Sequence, residues 1–209
     1  MSPRKAAALR DGGDQSLRDH LIATCEELMA ERGAAGLTVR DIARRARVAD
    51  GVLYNHFTDK EELLAVALHA HVRNAERALG ARPCTPGQDT LEANLRAYFG
   101  YALRLHIAIM PAFAGLVSQP KVLARFATLA NPMADGRGLQ ADLTEYLRAE
   151  QRLGRLSPAA NPEAAATMLI GACHELVLPR MFFQGDQTPA DIPSGYIDGI
   201  ITTLLHGIT

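Results

Sequence analysis

The chain has no tryptophan, and aromatic residues of any kind make up only 5% of its 209 positions. Its interior must therefore be aliphatic, built mostly from Ala and Leu, which are also the strongest helix formers. It has three cysteines, Cys25, Cys84 and Cys173, far apart and with no C-x-x-C pair. Disulfide frameworks and structural zinc sites need clustered or paired thiols, so neither is supported and three reduced thiols are expected. No run of about 18 uninterrupted apolar residues exists, so no membrane span is expected. The first fifteen residues lack an apolar core of about 7–15 residues and do not read as a secretory signal, which leaves a cytoplasmic protein as the expectation. An excess of charge is missing as well: 22 Lys+Arg stand against 23 Asp+Glu, a net charge of −1. Taken alone that balance argues against a nucleic-acid partner, but a total hides its distribution.

What is present is helical periodicity. With 48% hydrophobic and 22% charged residues the chain is too apolar to be disordered. Residues 1–15 read as a flexible, Gly- and charge-containing tail. From Ser16, with Asp19 three positions on, Leu17, Leu21, Cys25, Leu28 and Met29 recur at helical spacing until Gly33 and Gly36 stop the pattern. Thr38 with Asp41 repeats the capping signal for a short helix to about Arg45, and a second covers roughly Asp50 to His56. Thr58 with Glu61 caps a longer helix running to about Leu79. Gly80, Pro83, Pro86 and Gly87 then crowd one short stretch, so 80–88 is a loop. Beyond it, helices are expected near 89–108, 111–118, 121–130, 136–153, 162–178 and 193–206, with Asn161-Pro162 a clear start and Pro179 a stop. Strand-like alternation is absent throughout. The fold class is all-α.

The stretch Thr38–Phe57 carries the chemistry. Val39, Ile42, Ala43 and Ala46 share one face of its first helix, Val48 fills the turn, and Leu53 and Phe57 point inward from the second helix. That spacing is a helix-turn-helix, whose second helix enters the DNA major groove. Outward remain Arg40, Arg44, Arg45 and Arg47, with Tyr54, Asn55 and His56 on the second helix and Lys60 just beyond. Arg and Lys neutralise phosphates, and the Asn amide reads base edges.

These residues resemble the tetracycline-repressor (TetR) family of bacterial regulators. Over about residues 16–70 the match is carried by Gly36-Leu37-Thr38-Val39-Arg40-Asp41-Ile42-Ala43, by Val48 and Gly51, by Leu53-Tyr54-Asn55-His56-Phe57 and by Lys60-Glu61-Glu62-Leu63-Leu64. The resemblance implies an N-terminal three-helix DNA-binding bundle over 16–79, with its connecting helix, and a larger C-terminal ligand-binding and dimerisation domain over 89–209. It implies phosphate contacts from Thr38, Tyr54, His56 and Lys60. Arg40, Ala49, Asp50, Val52 and Asn55 would lie at or near base edges, and Gly51 would let the backbone approach DNA closely. The chain departs from the pattern in three places. Arg47 stands where the family has Gly, at a cost on the order of 1–2 kcal/mol if φ is positive. Ala49 replaces the usual capping Ser, and Asp50 stands where Lys is common, so Asp50 is expected either to cap the second helix or to accept from a cytosine amine.

The C-terminal residues show no further motif. Met and aromatic residues suit an adaptable apolar cavity, and the candidate lining is Phe99, Leu103, His106, Met110, Phe113, Phe126, Tyr146, Leu147, Met168 and His174, with Tyr98, Met133 and Phe182 beside them. The same spacing equally suits a core. The last two helices carry apolar faces too wide for one contact, with small residues for close approach. In the resembling family such a pair joins a second copy in a four-helix bundle, so a homodimer is implied. The alternative reading is an all-α enzyme or a helical interaction module. Its raw material is poor: Cys173 and His174 are adjacent on a helix and diverge by about 100°. His69 and His71 lack the i, i+3 or i, i+4 spacing of metal ligands. The expectation is a transcriptional regulator, in the sense of a repressor, that is not an enzyme and needs no cofactor or metal. Its partners would be a double-stranded, pseudo-palindromic DNA operator and a small-molecule effector, with no membrane. Acids and bases also balance within residues 1–80, so weak non-specific DNA affinity follows.

Overall fold

A computed structural model describes residues 14–133, 136–183, 192 and 194–207, and among them all regular structure is helical. The elements are α1 (Asp14–Arg32), α2 (Val39–Ala46), a 3₁₀ helix (Asp50–Asn55), α3 (Lys60–Leu79), α4 (Leu91–Ala114), α5 (Pro120–Thr128), α6 (Leu139–Arg152), α7 (Pro162–Phe183) and α8 (Tyr196–His206). No described helix is long and apolar enough to cross a membrane. Arg4, Lys5 and Arg10 of the expected tail lie outside the described residues.

By packing, the chain divides into two units: the described part of Met1–Asn74 with Pro111–Pro132, and that of Ala75–Met110 with Met133–Thr209. The division falls inside α3 and α4 rather than in the 80–88 loop. The N-terminal unit has one aliphatic core. Leu21, Cys25 and Leu28 of α1 meet Ile42 and Ala43 of α2, Leu53 and Phe57, and Leu63, Leu64 and Leu68 of α3. Ala112, Leu116 and Val122 complete it, so the segment expected to begin the C-terminal domain supplies core to the DNA-binding unit. Gly115 permits this: a Cβ there would stand 3.0 Å from the Ala34 backbone nitrogen.

In the second unit, α6 packs along α7 and α7 meets α8. Leu95, Phe99, Ala102 and Leu105 of α4, Leu143 and Leu147 of α6, Leu169 and Cys173 of α7 and Ile201 of α8 are buried. Tyr98 fixes α4 to α6, its hydroxyl lying 2.7 Å from the Leu139 carbonyl oxygen and 2.9 Å from Asp142 Oδ2. The 80–88 loop is tied down rather than loose. Arg82 donates to Glu76 Oε1 at 2.7 Å, and the Gly87 amide donates to Glu150 Oε1 at 3.0 Å. Glu150 is wholly buried, with Arg155 Nε 2.8 Å from its other oxygen as an ion pair.

Two helix ends differ from the sequence reading. Pro111 lies inside α4 and Pro179 inside α7. An interior proline costs about 3 kcal/mol and removes a backbone bond. Burial of the adjoining Ala112 and Leu116 offsets that cost at Pro111. At α7 the expected start holds, the Asn161 side chain accepting from the Ala164 amide at 2.9 Å.

Candidate nucleic-acid interface

The site begins with a capped helix. Thr38 is the N-cap of α2, its hydroxyl accepting from the Asp41 amide at 3.1 Å while the Asp41 carboxylate accepts from the Thr38 amide at 3.2 Å. This reciprocal box satisfies two orphan donors of the first turn. The Thr38 hydroxyl also donates to Asp41 Oδ2 at 2.5 Å. The Thr38 hydroxyl first, then its amide, hold the Asp41 carboxyl below the usual carboxylate range, with Arg44 adding to the effect. The helix ends at Arg47, which takes the left-handed conformation (φ 59°, ψ 41°) normally left to glycine. That geometry turns the chain so that the Val48 amide reaches the Ala43 carbonyl at 3.0 Å.

The second helix is 3₁₀ rather than α, and Ala49 at its N-cap provides no side-chain hydrogen bond. Asp50 does not take over that role. Its carboxylate sits 3.6 Å from Arg40 Nε on α2. Leu53 and Phe57 bury their side chains, at 2% and 3% exposure, leaving Ala49, Gly51, Tyr54 and Asn55 exposed and Val52 and His56 half-buried. Tyr54 is 59% exposed, high for so large a ring. Gly51 has no atom within 4 Å of where a Cβ would stand. Thr38, Arg40, Ala49, Asp50, Gly51, Tyr54 and Asn55 are thus all solvent-facing residues of α2, the turn and the 3₁₀ helix. Lys60 is more enclosed, its Nζ donating to the Leu37 carbonyl at 3.2 Å.

The arginine cluster is less basic than its sequence suggests. Arg40 faces Asp50, Arg44 donates to Asp41 at 2.8 Å, and Arg45 pairs with Glu31. Sequence reading also misses the residues that brace the end of the 3₁₀ helix. Arg18 of α1 lays its guanidinium 4.5 Å over the Phe57 ring. The cap of α3 falls one position later than the expected Thr58–Glu61 pair: Asp59 accepts from the Glu62 amide at 2.9 Å and Glu62 accepts from the Thr58 amide at 2.7 Å. Arg125 of α5 joins them at 2.5 Å from Asp59. No local signal marks Arg125, which lies in a sequence-distant helix.

The C-terminal candidates separate. Phe99, Leu103, His106, Tyr146 and Leu147 are buried in the second unit, with Met110 and His174 half-buried there. Phe113 and Phe126 are not with them. They pack edge-to-face on the core of the N-terminal unit, ring centroids 5.3 Å apart. Met168 is 65% exposed on the outer face of α7. Met133 is half-buried, and the Phe182 side chain lies outside the described residues. His106 and His174 meet edge-on, centroids 4.6 Å apart. His106 Nδ1 donates to the Ala102 carbonyl at 2.6 Å, which fixes its tautomer. Burial holds this imidazole below its ordinary value; the Ala102 bond opposes that and His174 reinforces it. The residues behind the enzyme reading are occupied by structure. His69 Nε2 lies 2.9 Å from the Ala130 carbonyl oxygen, His71 lies 3.6 Å from Glu26, and Cys173 points at the Phe99 carbonyl oxygen, 3.9 Å away.

A capped helix, a left-handed turn and an exposed second helix over an aliphatic core define a helix-turn-helix DNA-binding unit. Residues 21–67 match the model of bacterial regulatory proteins of the tetR family, and residues 87–206 match the C-terminal domain of AefR-like transcriptional repressors. The chain belongs to the TetR family of transcriptional regulators. Among curated relatives, the transcriptional activator FasR of Mycolicibacterium smegmatis is 33% identical over 86 residues, 40% of this chain and 39% of that protein. The repressor KstR2 of Mycobacterium tuberculosis H37Rv is 43% identical over 53 residues, 25% of this chain and 26% of its own length. The matches thus span between about a quarter and two fifths of these relatives. Solved structures share the fold. The fatty acid degradation regulator FadR of Bacillus halodurans superposes with a TM-score of 0.62 at 19% identity, covering 95% of this chain and 98% of its own. FadR of Bacillus subtilis, solved with stearoyl-CoA, gives 0.58 at 19% identity over 91% and 99%.

Proposed function

We propose that this regulator is a cytoplasmic repressor that binds a pseudo-palindromic operator as a dimer and leaves it when a small apolar or amphipathic effector occupies the C-terminal unit. The observation that carries the DNA half of this reading is the set of exposed residues on a rigidly capped helix-turn-helix. Thr38, Tyr54, His56 and Lys60 are assigned to phosphates, and Arg40, Ala49, Asp50, Val52 and Asn55 to base edges, with Gly51 against the backbone. With three of the four clustered arginines already facing carboxylates, non-specific attraction is weak. Sequence readout from two half-sites then supplies most of the binding.

The dimer reading rests on the face formed by α7 and α8. Met168, Ala172, Tyr196, Gly199, Ile200 and Leu204 line an apolar groove of about 810 Å³ there. A second copy against the same face would bury Met168 and Tyr196 in an isologous helix bundle. The recognition elements would then lie about one DNA turn apart, roughly 34–36 Å. For the effector, buried Phe99, Leu103, Tyr146 and Leu147 offer apolar contact and the His106–His174 pair a polar one. Stearoyl-CoA, bound by one of the fold relatives, belongs to the amphipathic class. An effector acts only through different affinities for the DNA-bound and free states.

The test is selection of duplexes from a randomised pool, followed by titration over a range of salt with the mass of the complex measured. An inverted repeat bound by two chains, with affinity that falls moderately as salt rises, is the expected result. Absent or salt-independent binding would sink the reading.

A further inference from the structure

We propose that Arg125 of α5 is a positioning residue for DNA recognition, acting through the cap of α3 rather than by touching DNA. The proposal rests on the DNA-binding reading above. The 3₁₀ helix ends at Asn55, and only Phe57, Thr58 and Asp59 separate its His56 cap from Lys60 at the start of α3. That short turn sets where the second helix stands relative to α3. Its geometry is set by two carboxylates. Asp59 Oδ1 receives the Glu62 amide at 2.9 Å, and Glu62 Oε2 receives the Thr58 amide at 2.7 Å.

Both carboxylates are held from outside by arginines on other helices. Arg125 Nη2 donates to Asp59 Oδ2 at 2.5 Å, and its Nη1 lies 4.0 Å from Glu62 Oε2. Arg18 Nη2 reaches Glu62 Oε1 at 3.5 Å, while its guanidinium covers Phe57. The planar fork of arginine suits this bridging between two acids. The helix that carries Arg125 is itself fixed in the N-terminal unit. Val122 is fully buried in the core, and Gln119 donates to the Ala34 carbonyl at 3.1 Å. A displacement of α5 would therefore pull on the turn between the 3₁₀ helix and α3, and through it on the second helix.

The sign of two substitutions separates positioning from simple charge. If Arg125 and Asp59 acted through the local field, Arg125→Ala would weaken DNA binding and Asp59→Asn, which removes a negative charge, would strengthen it. If they position the turn, both weaken it. Asn still caps a helix, so Asp59→Asn removes the pair and keeps the cap. The probe is a duplex selected by the wild-type chain from a randomised pool, with a random duplex beside it and thermal melts as a check on folding.

Expected are roughly two- to fivefold weaker binding of the selected duplex by each single variant, the scale of a part-exposed charge pair. The double variant should be no worse than either single one, Arg125→Lys should recover part of the loss, and the slope of log affinity against log salt should stay at the wild-type value. A slope reduced by about 0.9 would make Arg125 a phosphate contact and overturn the proposal. So would tighter binding by Asp59→Asn, or wild-type binding by Arg125→Ala. Wild-type protein that selects no duplex would overturn the DNA-binding reading itself, and the proposal with it.

Discussion

Arg40 of α2 and Asp50, the first residue of the 3₁₀ helix, form an ion pair with Nε 3.6 Å from Oδ2, both side chains open to solvent. The pair joins α2 to the 3₁₀ helix and partly neutralises the arginine proposed to read bases. On that proposal the Asp50 carboxylate also repels phosphate from that corner. Asp50→Asn frees Arg40, so affinity for random duplex should rise roughly two- to fivefold, the scale of an exposed pair, with poorer discrimination of the operator. Titration of both duplexes checks this, and unchanged discrimination would show that the pair plays no part in selectivity.

Gly51 has space around it and no positive φ. Gly51→Ala should leave stability within about 0.5 kcal/mol of wild type. The added methyl stands on the surface assigned to DNA, so operator binding should weaken roughly tenfold, the size of one lost base-pair contact. Paired melts and titrations measure the two effects; a stability loss matching the binding loss would place the glycine's role in folding.

Arg47 holds φ 59° as the C-cap of α2. A side chain there costs about 1–2 kcal/mol, against about 0.5–1 kcal/mol for the extra unfolded freedom of glycine. Arg47→Gly should therefore stabilise the protein by about 0.5–1 kcal/mol, raising the melting temperature by roughly 2–4 °C per kcal/mol. Arg47→Ala keeps the strain and should show no such gain.

His106 is buried, and its imidazole is held below the ordinary value of 6.5. The folded state therefore disfavours the proton that the unfolded chain accepts. Stability is fully present above about pH 6.5 and is lost as pH falls toward the lower folded value. Melts at a series of pH values should show this weakening, and His106→Gln should flatten it between neutral and mildly acid pH. An unchanged slope would assign the acid sensitivity to other groups.

Local chemistry made the N-terminal site legible. Thr38 and Asp41 announce a capping box because both partners lie within four residues. The apolar spacing of Ile42, Ala43, Leu53 and Phe57 has a single solution in two short crossing helices. Arg47, standing where the resembling family has Gly, points to a left-handed turn through the resemblance, and its φ is 59°. What the sequence hid is non-local. Helical spacing marks Phe113 and Phe126 as inward-facing but not which core they enter, and they enter that of the N-terminal unit. Pro111 and Pro179 read as helix boundaries, yet both lie inside helices, with buried Ala112 and Leu116 beside the first. Asp50 was expected to cap or to read a base, and its pairing with Arg40 depends on a helix crossing that no spacing encodes.

The cysteines take on a use of their own once the structure is known. Cys25 is sealed in the N-terminal unit and Cys173 in the other, each at 0% exposure, and burial pushes both thiols up to about 12. A thiol so protonated and enclosed reacts with an alkylating reagent only when its surroundings open. Each unit thus carries a built-in clock. The rate at which Cys25 or Cys173 is labelled reports how often that unit breathes, and effector or operator that slows one clock and not the other reveals which unit it steadies.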